Sequence, residues 1–158
     1  MYPKQKTYTV EQARAKMEQF CAYQERSHKE VLEKLRQMRM IPQAIDQIMV
    51  HLIEQNFLSE ERFATNFAWG KFSVKKWGKL RIKHELKMRG ISPFLIQKAL
   101  EEIQPEDYRE TFEELSLQKF QSFMGKTGFK EKKKWVDYML YRGWEPDWVF
   151  EKANELFA

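Results

Sequence analysis

Leu86-Lys87-Met88-Arg89-Gly90-Ile91-Ser92-Pro93 returns later in the chain as Met139-Leu140-Tyr141-Arg142-Gly143-Trp144-Glu145-Pro146. A worn copy, Leu35-Arg36-Gln37-Met38-Arg39-Met40-Ile41-Pro42, lies upstream. With the arginines as anchors, Arg39, Arg89 and Arg142 stand 50 and 53 residues apart. A period of that length means supersecondary units stacked in a row. Arg-Gly, an apolar residue, a short gap and proline form a mechanical device. A helix ends, a C′ glycine turns the chain, the apolar residue clasps it, and proline opens the next helix.

Outward from this phrase, each unit reads as three helices. Thr9-Val10-Glu11-Gln12 and Ser27-His28-Lys29-Glu30 are capping boxes, in which a hydroxyl and the third following side chain satisfy each other's backbone amides. Val31, Leu32, Leu35 and Met38 recur at helical spacing, and Ile45, Ile48, Met49 and Leu52 line the next helix. Asn56 suits a left-handed helix end. Ser59 opens the second unit with Glu60 and Glu61 in its first turn, where the helix dipole favours acids. Gly78 separates the next helix, which carries Ile82 and Leu86. Gly90 ends it and Ile91 follows, and Ser92-Pro93 starts another helix with Leu95, Ile96, Ala99, Leu100 and Ile103. The third unit starts near Pro105 with Phe112, Leu115 and Phe120 inward. Gly125-Lys126-Thr127-Gly128 is a loop, Trp135, Val136, Met139 and Leu140 form a stripe, Gly143 stops it, and Pro146 restarts.

No run alternates long enough for a strand. The chain therefore reads as all-α: three tandem three-helix repeats in an elongated, curved array. The expected division is a tail at 1–8, then repeats at 9–58, 59–104 and 105–158.

The chain has 158 residues, 15% of them aromatic, so apolar material for a core is ample. No apolar run approaches the ~20 residues of a membrane span. The N-terminus has no apolar core of the kind a secretory signal carries. Cys21 is the single cysteine, so it reads as a small apolar residue rather than half of a disulfide. Together these features read as cytoplasmic.

The net charge is +5, and the charges are blocked. Lys71, Lys75, Lys76, Lys79, Arg81, Lys83, Lys87 and Arg89 face one acid, Glu85, within 71–89. Residues 101–114 are acidic. Lys126, Lys130, Lys132, Lys133 and Lys134 then form a second basic cluster. Lysines with Trp69 and Trp77 interleaved supply what a nucleic-acid surface needs: ammonium groups for phosphates and flat rings for bases. The acidic block would repel a polyanion, whereas a protein of mixed charge would fit both blocks.

Catalytic motifs fail one by one. Gly125-Lys126-Thr127 looks like a P-loop tail, but Phe120 stands where the first glycine belongs, and no strand precedes it. Ser73-Val74-Lys75-Lys76 with Lys126-Thr127-Gly128 matches two boxes of penicillin-recognising enzymes, without the third box or the sheet. His28, His51 and His84 lie in separate helices, and no histidine follows His84-Glu85 at metal-ligand spacing. Neither a cofactor nor an enzymatic activity is expected.

Trp77-Gly78-Lys79-Leu80-Arg81-Ile82-Lys83-His84-Glu85-Leu86-Lys87-Met88-Arg89-Gly90-Ile91 resembles the central signature of the RecX family: glycine, Arg-Ile, Glu-Leu, Gly-Ile. Phe57-Leu58-Ser59-Glu60-Glu61-Arg62-Phe63-Ala64 is similar to that family's turn into its second repeat, and Arg26-Ser27 with Glu30, Leu32 and Leu35 looks like its opening. The resemblance spans roughly residues 10–157. It implies a fold of three tandem three-helix repeats and a regulator of the RecA recombinase in DNA repair, recombination and the SOS response. Such a regulator binds RecA and its DNA filament and inhibits ATP hydrolysis, strand exchange and filament extension. The implied partners are RecA and single- and double-stranded DNA, with no membrane, for a monomeric protein. Gly78, Arg81, Ile82, Glu85, Leu86, Gly90 and Ile91 match the motif. Gly78, Ile82, Leu86, Gly90, Ile91, Gly143 and Pro146 are assigned to architecture; Lys79, Arg81, Lys83, Lys87 and Arg89 are the expected exposed contacts. The chain departs from the family at Ser59-Glu60, Asn56 and Tyr23-Gln24. The alternative is a sequence-tolerant nucleic-acid binding module acting without RecA.

Overall fold

The computed structural model describes residues 6–158. The tail expected at 1–8 therefore lies mostly outside the described residues. The first triplet is α1 (Val10–Tyr23), α2 (His28–Gln37) and α3 (Pro42–Glu54). The second is α4 (Glu60–Ser73), α5 (Lys79–Met88) and α6 (Pro93–Glu101). The third is α7 (Pro105–Gln121), α8 (Phe129–Tyr141) and α9 (Pro146–Leu156). There is no strand among the described residues, and none of these helices is long and apolar enough to cross a membrane.

The helix starts follow local chemistry. Both capping boxes form: the Thr9 hydroxyl accepts from the Gln12 amide at 3.1 Å, and the Ser27 hydroxyl from the Glu30 amide at 3.2 Å. Pro42, Pro93, Pro105 and Pro146 each open a helix, where a missing N–H leaves nothing unpaired.

The helix ends correct the register of the repeated phrase. Arg39 does not correspond to Arg89 and Arg142. It has φ +59° and occupies the left-handed position held by Gly90 (φ +77°) and Gly143 (φ +91°). The following residue returns its amide to the helix in every copy: Met40 to the Leu35 carbonyl at 3.1 Å, Ile91 to Leu86 at 3.1 Å, and Trp144 to Met139 at 3.3 Å. Met38 is the true counterpart of Arg89 and Arg142, and the steps are 51 and 53 residues, as the prolines at 42, 93 and 146 also give. The first unit lacks one residue between arginine and proline, so matching arginines shifts it by one. A side chain at this φ costs roughly 1–2 kcal/mol. Arg39→Gly is therefore expected to stabilise the chain by a few tenths to about 1 kcal/mol in urea unfolding, since glycine's extra freedom when unfolded offsets part of the relief. A loss of stability would show that the arginine's own contacts outweigh the strain.

The three consecutive triplets do not give three cores among the described residues. Ala13, Met17, Val31, Leu35, Ile48, Leu52 and Leu58 belong to one apolar cluster confined to the first triplet and its exit. The second and third triplets share a single cluster, in which Ile82 and Leu86 meet Tyr108, Phe112, Trp135, Trp144 and Val149. Cys21 is buried in the first cluster, and burial pushes its thiol up to about 11. The accessible surface of 10702 Å² is about a quarter more than the roughly 8,400 Å² that a compact monomer of 19.2 kDa would expose, as suits a row of units.

The two joints differ in chemistry. The first is closed by polar groups. Arg62 bonds Glu25 Oε1 at 2.9 Å through Nε, and Asn56 Oδ1 and the Asn56 carbonyl at 2.8 Å each through its terminal nitrogens. His28 Nδ1 lies 2.9 Å from Glu60, and Lys29 Nζ donates to the Met88 carbonyl. A cleft of about 490 Å³, lined by Cys21, Glu25, Phe63 and Phe67 among others, opens between these triplets. The second joint is backbone against backbone, and it positions the site.

Candidate functional site

After α4 the chain turns through Val74, Lys75, Lys76 and Trp77 into Gly78, the N-cap of α5. Lys76 has φ +58° and its Nζ donates to the Ser73 carbonyl at 2.7 Å, so it terminates α4. The N-terminus of α5 then meets the C-terminus of α8. Gly78 donates its amide to the Arg142 carbonyl at 2.8 Å, and Leu80 donates to the Gly143 carbonyl at 3.1 Å. Donors that α5 leaves unpaired thus satisfy acceptors that α8 leaves unpaired, with the two dipoles in a favourable order. Trp144 Nε1 donates to the Lys76 carbonyl at 3.2 Å, and Arg142 donates to the Lys75 carbonyl.

Tyr108 completes the joint. Its hydroxyl accepts from the Lys79 amide at 2.9 Å and donates to the Glu145 carboxylate at 2.7 Å. Burial raises this phenol well above its ordinary value, the Glu145 charge adds to that, and the Lys79 amide opposes it. Nothing in the sequence announces Tyr108, because a single tyrosine in an acidic run carries no pattern.

Around this joint the basic side chains and rings alternate. The Arg89 guanidinium lies 4.6 Å from the Phe67 ring centre, and Lys71 Nζ lies 5.5 Å from Phe67 and 5.0 Å from Trp77. Arg81 sits 4.1 Å from Trp77 and 4.6 Å from Tyr141, so it is held between rings of two triplets. On the third triplet, Arg142 and Lys119 flank Tyr138 at 4.7 and 4.6 Å. Tyr141 is 75% exposed and presents a free ring face at the junction. Tyr138, Tyr141 and Lys119 were missed in the sequence because the row crosses two separate repeats.

The eight cations of segment 71–89 do not form one exposed face. Arg81 and Lys83 are about 200° apart around α5, given 3.6 residues per turn. Arg81 and Arg89 flank one side, and Lys79, Lys83 and Lys87 the other. Lys79, Arg81 and Arg89, expected as exposed contacts, are half-buried: Lys79 packs over Tyr108 at 4.7 Å, and Arg89 is tied to Glu85 at 2.7 Å. That arginine holds the Glu85 carboxyl below its usual range. Lys75, Lys83 and Lys87 are exposed and in no ion pair among the described residues, whereas Lys71 and Lys76 are half-buried. The second cluster surrounds the start of α8. Lys132 bonds Asn154 at 2.9 Å and Lys133 pairs with Asp137 at 2.8 Å, leaving Lys126, Lys130 and Lys134 exposed and in no ion pair among the described residues.

Several repeat-motif residues are closely packed. Ile82 and Leu86 are fully buried and Ile91 nearly so. A Cβ on Gly78 would fall 2.3 Å from the Gly143 carbonyl oxygen, so the close approach of the two backbones demands glycine there. Gly90 needs glycine only for its φ, because a Cβ there meets nothing within 4 Å.

Comparison with known proteins places the chain. The family model for the second three-helix domain of RecX matches residues 59–100, which begin at the N-cap of α4 and end in α6. The regulatory protein RecX of Pseudomonas savastanoi pv. phaseolicola is 30% identical over 128 residues, covering 81% of each chain. That of Serratia proteamaculans is 34% identical over 102 residues, and that of Clostridium acetobutylicum 28% over 137. The chain spans 59% and 63% of the lengths of these last two. A crystal structure of RecX from Lactobacillus salivarius superposes with a TM-score of 0.80 at 20% identity, over 93% of this chain and 96% of that one, which is a likeness of fold. With the repeated helix-ending device, the joint built on Gly78 and the paired relatives, the chain belongs to the RecX family of regulatory proteins.

Proposed function

We propose that this chain is a non-enzymatic regulator that binds the RecA recombinase and its DNA filament and inhibits ATP hydrolysis, strand exchange and filament extension. Family membership supports the regulatory role. The observation that carries the partner reading is the row of cations and rings that crosses the second joint from Arg89 to Tyr141. Backbone hydrogen bonds across the joint support a fixed register for that row, and the acidic first turn of α7, with Glu106 and Asp107, adjoins the joint through Tyr108. A groove between protein and bound DNA presents both signs of charge, and so does this surface. The chain acts as a cytoplasmic monomer in this reading.

With RecA assembled on single-stranded DNA, a several-fold molar excess of the chain is expected to slow ATP hydrolysis. Unchanged hydrolysis refutes the reading. The second reading is nucleic-acid binding without RecA. It is favoured by the exposed Lys75, Lys83 and Lys87, and it predicts direct, salt-sensitive binding to an oligonucleotide.

A further inference from the structure

At the far end of the molecule, the first triplet carries a cleft with no assigned role. Its volume is about 320 Å³, and Lys6, Lys16, Lys34 and Arg39 line it together with Tyr8 and Gln37. Two buried methionines, Met17 and Met38, complete the lining, so the cleft has an apolar base and a cationic rim. Among the described residues, no carboxylate lines it. Glu30 and Glu33 line a neighbouring cleft that shares Lys34 and Gln37. None of the four cations is in an ion pair among the described residues.

The positive charge is concentrated around one hydroxyl. Lys16 Nζ donates to Tyr8 Oη at 3.1 Å, and Lys6 and Lys16 stand 5.4 and 5.1 Å from the Tyr8 ring centre. The Tyr8 phenol is held below its ordinary value, first by the Lys16 hydrogen bond, with the charges of Lys16, Lys6 and Lys34 adding and burial opposing.

Arg39 supplies a second, independent observation. Its position is the left-handed one that glycine fills in the other two triplets. Here the chain keeps a long cation at a strained backbone position, and that cation lines the cleft. Of the non-glycine residues at positive φ, which also include Asn56, Lys76 and Met124, Arg39 is the one that lines this cleft.

We propose that this cleft is an anion site that takes a phosphoryl group, either the phosphodiester of a nucleic-acid strand or the phosphate of a small ester. Three ammonium groups and one guanidinium fork supply more donors than a carboxylate's two oxygens would use, whereas a phosphate offers additional acceptors and up to two charges. The cleft is at the small end of ligand sites, as suits one phosphoryl group and its immediate attachment. The site lies on the first triplet, away from the cation–ring row of the second joint, and it requires no RecA, so its test is separate from that of the regulatory role.

The test follows backbone amide resonances of the ¹⁵N-labelled full chain during titration with sodium pyrophosphate and, separately, with a short oligothymidylate, against sodium chloride at matched ionic strength. Shifts are expected at Tyr8, Lys16, Lys34 and Arg39. Shifts with pyrophosphate assign a small phosphate ester, shifts with the oligonucleotide alone assign a strand, and either result supports the site. The double variant Lys34→Gln, Arg39→Gly is expected to weaken the binding by about tenfold or more, since it removes two of the four charges that the phosphoryl oxygens would meet. Glycine is the residue the other two triplets use there, so the variant folds, and thermal unfolding verifies that. Absence of shifts at those amides with both probes, equal shifts with chloride, or undiminished affinity in the folded double variant would overturn the proposal.

Discussion

Gly143→Ala is expected to destabilise the chain by about 3 kcal/mol or more, and Gly90→Ala by only about 1–2 kcal/mol. Both glycines sit at the left-handed position after a helix, at φ +91° and +77°. Both substitutions therefore carry the same backbone penalty. They differ in what the new methyl meets. At residue 90 it meets nothing within 4 Å. At residue 143 it falls 2.3 Å from Arg81 Cβ and 2.4 Å from the Arg81 amide nitrogen, and the latter is helix backbone that cannot rotate away. Relief requires α5 and α8 to separate, which breaks the bonds from Gly78 to Arg142 and from Leu80 to Gly143 and opens the shared core. Urea unfolding of the two variants side by side measures the difference. Equal destabilisation would mean that the second joint is not the tight backbone contact described.

Charge reversal at Lys75, Lys83 and Lys87 is expected to lower affinity for a single-stranded oligonucleotide by tenfold or more and to flatten its salt dependence. Each single-strand phosphate contact contributes about 0.7 to the slope of log affinity against log salt, so three lost contacts reduce it by about 2. The three side chains are exposed, so the fold has no packing to lose. The matched control reverses Lys126, Lys130 and Lys134, which are equally exposed but lie around the start of α8. A smaller effect there locates binding at the surface of Lys75, Lys83 and Lys87. If both triple variants lose affinity equally, the chain responds to net charge alone and the surface of Lys75, Lys83 and Lys87 has no special part. The same 75/83/87 variant, tested on RecA-dependent ATP hydrolysis, separates the two functional readings: inhibition that survives the loss of oligonucleotide binding acts through protein contacts.

The first pair of variants shows where sequence reading stops. Helix starts were legible because their cause is local: a hydroxyl reaches an amide three residues on, and a proline sits where no N–H is missed. Gly90 and Asn56 were legible for the same reason, since a left-handed turn selects among side chains whatever surrounds it. The one-residue shift at Arg39 was not legible. Arginine is an unfavourable occupant of that position, so matching like residues preferred the wrong alignment, and only the dihedral angles and the returned amides of Met40, Ile91 and Trp144 fix it.

The candidate surface divides in the same way. A run of eight cations is a one-dimensional fact, and α5 splits it by turning 100° per residue. Lys83 and Lys87, expected as exposed contacts, face water. Arg81 instead becomes a strut between Trp77 and Tyr141, a partner 60 residues away that no local pattern could announce. The sequence by itself determined the helices, their order and the threefold phrase, because short-range hydrogen bonding and the apolar period encode them. Only the tertiary structure decided that two triplets share a core while the first keeps its own, and which cations face water, because those outcomes depend on close approach between distant segments such as Gly78 and Gly143.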